Sequence, residues 1–184
     1  MITETRAPEL FVSEWLNTPA PLSLEALKGK VVLIEAFQML CPGCVSHALP
    51  QAMKVRDVFP EDQIAVLGLH SVFEHHEAQG HRAALEAFLH EYRISFPVGI
   101  DEQSETAPLP KTMMTYGMRG TPTTLLIDRN GILRRHSFGL IEDMVLGAEI
   151  ATLLTETPLA QQDAIETDKQ VSCSDGACPA PSPQ

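Results

Sequence analysis

The sequence predicts an α/β fold, a central mixed β-sheet flanked by helices, and three observations carry that expectation. Apolar runs of strand length at residues 31–37, 64–69 and 96–100 alternate with segments of helical periodicity, the pattern of parallel strands joined by crossover helices. Two more runs, 123–127 and 132–138, flank Asp128-Arg129-Asn130-Gly131, and Asn-Gly is a strong hairpin signal. With 184 residues, 44% of them hydrophobic and 20% charged, the chain has ordinary globular composition and enough length for one well-buried core.

In chain order, residues 11–24 mix Trp15, Leu16 and Leu22 with Asn17, Thr18, Pro19 and Pro21, which reads as an extended lead-in broken by turns. Val31 to Phe37 is β-branched and aromatic and is expected to be a buried central strand. From Pro42 onward Val45, Leu49, Met53, Val55 and Phe59 follow near-helical spacing, with a kink expected at Pro50. Residues 64–69 are expected to lie parallel to the first strand, with that helix as crossover. Residues 71–80 form a polar, histidine-bearing insertion. Leu85, Phe88, Leu89 and Tyr92 then mark an amphipathic helix. A third strand at 96–100 leads through an acidic loop to a helix around 111–116, and after the hairpin a last helix spans 142–154. Residues 1–155 are expected to form one domain. Residues 156–184, polar and carrying Pro158, Pro179, Pro181 and Pro183, are expected to be a flexible tail.

Cys41-Pro42-Gly43-Cys44 falls between the first strand and the first helix. A cysteine there meets unpaired N–H groups and the positive end of the helix dipole, which favour the thiolate. In such settings a free thiol pKa near 8.5 drops to about 3.5–7.5. The two-residue spacer lets Cys44 attack Cys41 and release a partner held in a mixed disulfide. Half of a zinc site is the competing reading of the pair; a full site needs a second pair nearby, and the predicted domain has none. Glu35 interrupts the apolar strand six residues before Cys41. It is either a buried acid with a purpose or a strand-edge side chain reaching water.

The order strand, C-x-x-C, helix, then Gly120-Thr121-Pro122 before a later strand resembles the thioredoxin superfamily, in particular its TlpA-like and redoxin (AhpC/TSA-related) branch, over roughly residues 10–155. The resemblance implies a thioredoxin-like fold and thiol-disulfide exchange, with no cofactor. It implies that Cys41 attacks, that Cys44 resolves, and that Glu35 is the family's buried acid, taking the proton of Cys44. Pro122 would be a cis-proline, and Thr121, Pro122, Pro42 and Gly43 would shape the substrate groove. The partners expected are a disulfide-bearing protein or small-thiol substrate and an electron donor. Leu40 departs from the tryptophan usual before the first cysteine, and Pro42-Gly43 reverses the usual Gly-Pro order, so reduction potential and partner choice do not carry over.

Other readings compete. Peroxiredoxins share this fold, but their peroxide site needs a proline and a threonine where Ile34 and Gln38 stand. A zinc- or copper-binding carrier or sensor would draw on the insertion, where His75, His76 and His81 are the candidate ligands beside His70, Glu74 and Glu77, and on the tail cysteines. A solvated histidine-rich loop is the plainer account. His47 is expected to be a surface histidine. Cys173 and Cys178 are a second dithiol able to exchange electrons with Cys41 and Cys44, a soft-metal clamp, or inert tail thiols.

The formal net charge of -11 argues against a nucleic-acid partner, whose phosphates are bound chiefly by Lys and Arg. Residues 1–10 lack a basic start followed by an apolar stretch, and no apolar run is long enough to cross a bilayer, so a cytoplasmic location without membrane attachment is expected. In a reducing compartment the four cysteines read as chemistry rather than framework.

Overall fold

The computed structural model describes residues 5–156; the expected tail from residue 157 on, with Cys173 and Cys178, lies outside them. Six strands form one mixed sheet in the order β1-β4-β3-β2-β5-β6. They are β1 (Val12–Leu16), β2 (Val31–Phe37), β3 (Ile64–His70), β4 (Val98–Asp101), β5 (Thr123–Ile127) and β6 (Leu133–Phe138). β2 and β3 run parallel, as do β3 and β4, whereas β1, β5 and β6 join antiparallel. β2 is central, and all seven of its residues are buried, which is why it reads as an apolar run broken only by Glu35.

The pleat of β2 divides the core. Val31, Leu33 and Phe37 point to one face, covered by Leu49, Ala52 and Val55 of α1 (Leu49–Val58), Leu85 and Leu89 of α3 (Arg82–Glu91), and Leu146, Ile150 and Leu153 of α5 (Asp143–Thr155). Val32, Ile34 and Ala36 point to the other, where they meet Met113 of α4 (Lys111–Thr115) and Met118. Both edge strands are blunted against further pairing. β1 carries a bulge between Val12 and Glu14, and β6 places Arg134, Arg135 and His136 along the edge.

Three elements differ from the sequence expectation. The lead-in contains a true strand, β1, because pairing with β4 supplies order that its bulged alternation does not announce. Before Pro50 the helix is not merely kinked but widened: residues Cys44–Ala48 form a π-helical turn, and the Leu49 N–H reaches the Cys44 carbonyl five residues back. Pro50 has no N–H to donate, and its ring crowds the carbonyl four residues earlier, so a wider turn ahead of it relieves both constraints. His70, grouped in sequence with the insertion, belongs to β3 and is buried; only a short helix, α2 (His76–Gln79), forms in the insertion itself. No helix of the described residues is long and apolar enough to cross a membrane.

Candidate active site

The chain leaves the C-terminal end of β2 at Phe37, passes through Gln38, Met39 and Leu40, and turns into helix at Pro42. Cys41 therefore stands half-buried at the lip of the sheet, while Cys44, one turn on, is wholly buried. The two are joined as a disulfide. The Cys44 N–H points at Cys41 Sγ at 3.2 Å, so a charged sulfur here has a backbone donor already aimed at it. Cys41 Sγ also lies 3.5 Å from the Thr121 carbonyl oxygen.

Thr121 and Pro122 approach from the start of β5, and the peptide bond between them is cis. Pro122 is buried, and its ring faces Gly43, where a Cβ would stand 3.5 Å from Pro122 Cδ. Thr121 and Pro122 thus meet Cys41 and Gly43 across one junction, while the Pro42 side chain stays exposed beside them. Behind it, Phe138 closes on Gly120 so tightly that a Cβ would come within 2.9 Å of the ring, so any side chain there would have to displace Phe138. Leu40, at 56% exposure, and Leu140, at 59%, are apolar side chains left open to solvent immediately before Cys41 and just beyond β6.

Glu35 takes the buried alternative of its two sequence readings, at 2% exposure. Strand parity puts it on the face of β2 that packs toward Cys44. Thr124 donates its hydroxyl to Oε1 at 2.9 Å, and Oε2 has no hydrogen-bond partner. Desolvation raises its pKa from 4.5 to about 8, and the Thr124 bond works weakly against that rise. The carboxyl borders a cleft of ≈ 380 Å³ whose other walls include Ser46, His47, Gln51, Lys54 and Asp143.

His47 is exposed and pairs with the Ser46 hydroxyl at 2.7 Å. His70 is buried against Phe37, ring centroids 5.3 Å apart, and burial pushes its pKa down from 6.5 to about 4, so it is a neutral packing residue at neutral pH. His75, His76 and His81 are exposed, and among the described residues no three His, Cys, Asp or Glu side chains gather where they could hold a metal.

Two buried glutamines to which sequence reasoning gave no role stand behind the site, outside the reacting groups. Gln38 and Gln79 are each 1% exposed, and Gln79 Nε2 donates to Gln38 Oε1 at 2.8 Å. Gln79 Oε1 accepts the Leu40 N–H at 3.1 Å, and Gln38 Nε2 reaches Thr121 Oγ1 at 3.4 Å. Nothing in the sequence marked Gln79, which sits in a polar stretch where burial has no signature.

Residues 4–136 match the AhpC/TSA family. A crystal structure of a thioredoxin-like superfamily protein superposes with a TM-score of 0.81 at 59% identity, covering 83% of this chain and 98% of that one. The crystal structure of a thiol-disulfide isomerase from Corynebacterium glutamicum gives 0.80 at 46% identity, covering 85% and 100%. Among curated relatives, Protein DipZ of Mycobacterium tuberculosis is 32% identical over 137 residues, which is 72% of this chain and 18% of DipZ. The thiol-disulfide oxidoreductase ResA of Halalkalibacterium halodurans is 27% identical over 125 residues, 67% of this chain and 63% of ResA. The chain therefore spans less than two thirds of either curated relative.

Proposed function

The chain belongs to the AhpC/TSA family, with a thioredoxin-like fold, and we propose that within it the chain is a thiol-disulfide oxidoreductase that reduces disulfides in protein or small-thiol partners. The observation that carries the reading is the sulfur geometry: Cys41 half-exposed at the start of a helical turn with a backbone N–H aimed at it, and Cys44 bonded to it from below. Relatives named thiol-disulfide isomerase and thiol-disulfide oxidoreductase support the same chemistry.

In the reducing direction the Cys41 thiolate attacks one sulfur of a target disulfide. A mixed disulfide forms, and the other target sulfur leaves as a thiolate that takes a proton from water. Cys44 then gives its proton to the Glu35 carboxylate and attacks Cys41 Sγ, which expels the second target sulfur as a thiolate that takes a proton from water, leaving the Cys41–Cys44 disulfide and a Glu35 that returns its proton to water. At neutral pH the carboxylate is the minority form of a group near 8, but its basicity nearly matches that of an ordinary thiol, so the proton moves with little penalty. An electron donor restores the dithiol. Thr121, Pro122, Pro42 and Gly43 form the ground on which the partner chain lies beside Cys41. A cytoplasmic setting favours this direction, and Cys173 and Cys178 are assigned as a tethered dithiol that returns two electrons to the Cys41–Cys44 disulfide. Thiol trapping followed by non-reducing mass mapping tests that relay, and lack of any cross-link from Cys41 to Cys173 or Cys178 removes it.

The reading as a whole is tested by reduction of the insulin interchain disulfides with dithiothreitol as donor. The wild-type chain is expected to accelerate it, and Cys41→Ser to abolish the acceleration. Equal rates with and without the wild-type chain would overturn the proposal.

A further inference from the structure

Gln79 is an anomaly in its own segment. His75, His76, Glu77 and Ala78 are exposed, Gly80 is exposed, and Gln79 between them is buried. Burying a primary amide is unfavourable unless its donors and acceptor are engaged. Here they are: Nε2 donates to the Glu74 carbonyl at 2.9 Å and to Gln38 Oε1 at 2.8 Å, and Oε1 accepts the Leu40 N–H at 3.1 Å. Only the first of these bonds stays within the insertion. The other two grip Gln38 and Leu40, two of the three residues that link β2 to Cys41.

Those two bonds fix different things. The Leu40 N–H belongs to the peptide unit directly preceding the residue before Cys41, and holding it sets the direction in which the chain enters the redox turn. The bond to Gln38 locks a side chain that carries the link onward, since Gln38 Nε2 meets Thr121 Oγ1 and the Gln38 carbonyl accepts the Cys41 N–H at 3.2 Å. Cys41 and Thr121 lie 80 residues apart in sequence, and Cys41 Sγ stands 3.5 Å from the Thr121 carbonyl oxygen. The Gln79–Gln38–Thr121 chain is a side-chain tie spanning that junction from behind.

We propose that Gln79 is a positioning residue that sets the spacing between the redox turn and the Thr121 backbone, and so governs docking of extended polypeptide disulfides. The proposal rests on the reading of Cys41 and Cys44 as an exchange site. A polypeptide must place its sulfur at Cys41 and its flanking backbone against Thr121 at once, as peptides gripped by main-chain contacts do. A small disulfide touches Cys41 alone. Loss of the tie therefore weakens the first kind of substrate far more than the second.

The test compares Gln79→Met, close in shape but unable to make any of the three bonds, with wild type on two substrates: insulin and 5,5′-dithiobis(2-nitrobenzoic acid). The expected result is a rise of about fivefold in KM for insulin, the scale of one ordinary hydrogen bond, with the rate on the small disulfide within about twofold of wild type. Gln38→Met, which breaks the tie at its other end, is expected to reproduce the insulin effect, and the double variant to add little to either. Should Gln79→Met fail to fold, Gln38→Met carries the same comparison. An unchanged insulin KM, or equal losses on both substrates, would overturn the assignment. A wild-type chain inactive on both substrates would instead remove the exchange reading beneath it.

Discussion

Glu35 in the middle of β2 and Asp101 at the end of β4 are both buried carboxyl groups, and the fold treats them in opposite ways. Asp101 accepts from the Ser71 hydroxyl at 2.8 Å, the Thr112 N–H at 2.9 Å and the Met113 N–H at 3.2 Å, so both oxygens are engaged and the start of α4 is pinned to the sheet. Glu35 has one bond, from Thr124, and one oxygen with none. Desolvation raises the pKa of each, but at Asp101 several hydrogen bonds to the charged form oppose it, whereas at Glu35 a single one does. Full engagement makes a carboxyl part of the scaffold. An oxygen left without a partner is, in the mechanism proposed above, the one that receives the Cys44 proton.

Substitutions can break that contrast. The largest effect is expected for Asp101→Ala, which strands the Thr112 and Met113 N–H groups in the interior. A loss of roughly 3–5 kcal/mol in denaturant unfolding is expected, with turnover per folded molecule unchanged. Glu35→Gln is expected to do the reverse: the fold holds, but insulin reduction at neutral pH falls about 100-fold, the low end of what general acid-base assistance supplies. If Asp101→Ala proved inactive while folded, or Glu35→Gln fully active, the division of labour would be wrong.

The pH dependence of stability sharpens the comparison. A carboxyl held near 8 in the fold against 4.5 keeps a proton that the unfolded chain has released. Its stabilising contribution is complete below pH 4.5 and is lost as pH rises toward 8. His70 has the opposite sign: its pKa near 4 against 6.5 penalises the fold only as pH drops below 6.5. Between about pH 7 and 8 the Glu35 slope outweighs that opposition, at up to about 1 kcal/mol per pH unit. Chemical denaturation across that window should show stability falling in the wild type and a flatter line in Glu35→Gln. The smallest effect is expected for Ser71→Ala, which removes one of the bonds to Asp101, about 1 kcal/mol, with no change in the pH profile of activity.

These two acids also explain what the sequence could reveal. Glu35 was legible because a charge inside a β-branched run has no ordinary reason to be there. Asp101 was not, because an acid between a short strand and the polar stretch Glu102-Gln103-Ser104 looks like loop, and its burial depends on Ser71 and α4 arriving from elsewhere. The same logic runs through the fold. β2, β5 and α5 are written in local apolar patterns, while β1 owes its order to β4 and the π turn to the conjunction of Cys44 and Pro50. Cys41 and Cys44 announce themselves by spacing. Gln79 does not, since a polar residue in a polar segment becomes informative only when its partners are in view.

The central claim is that Cys41 is the attacking sulfur and Cys44 the one that resolves. Its most direct test is to mix reduced Cys44→Ser protein with insulin and map the products by mass under non-reducing conditions. The account predicts a mixed disulfide accumulating on Cys41, stable because nothing remains to release it; no adduct on Cys41, or free turnover without Cys44, would contradict it.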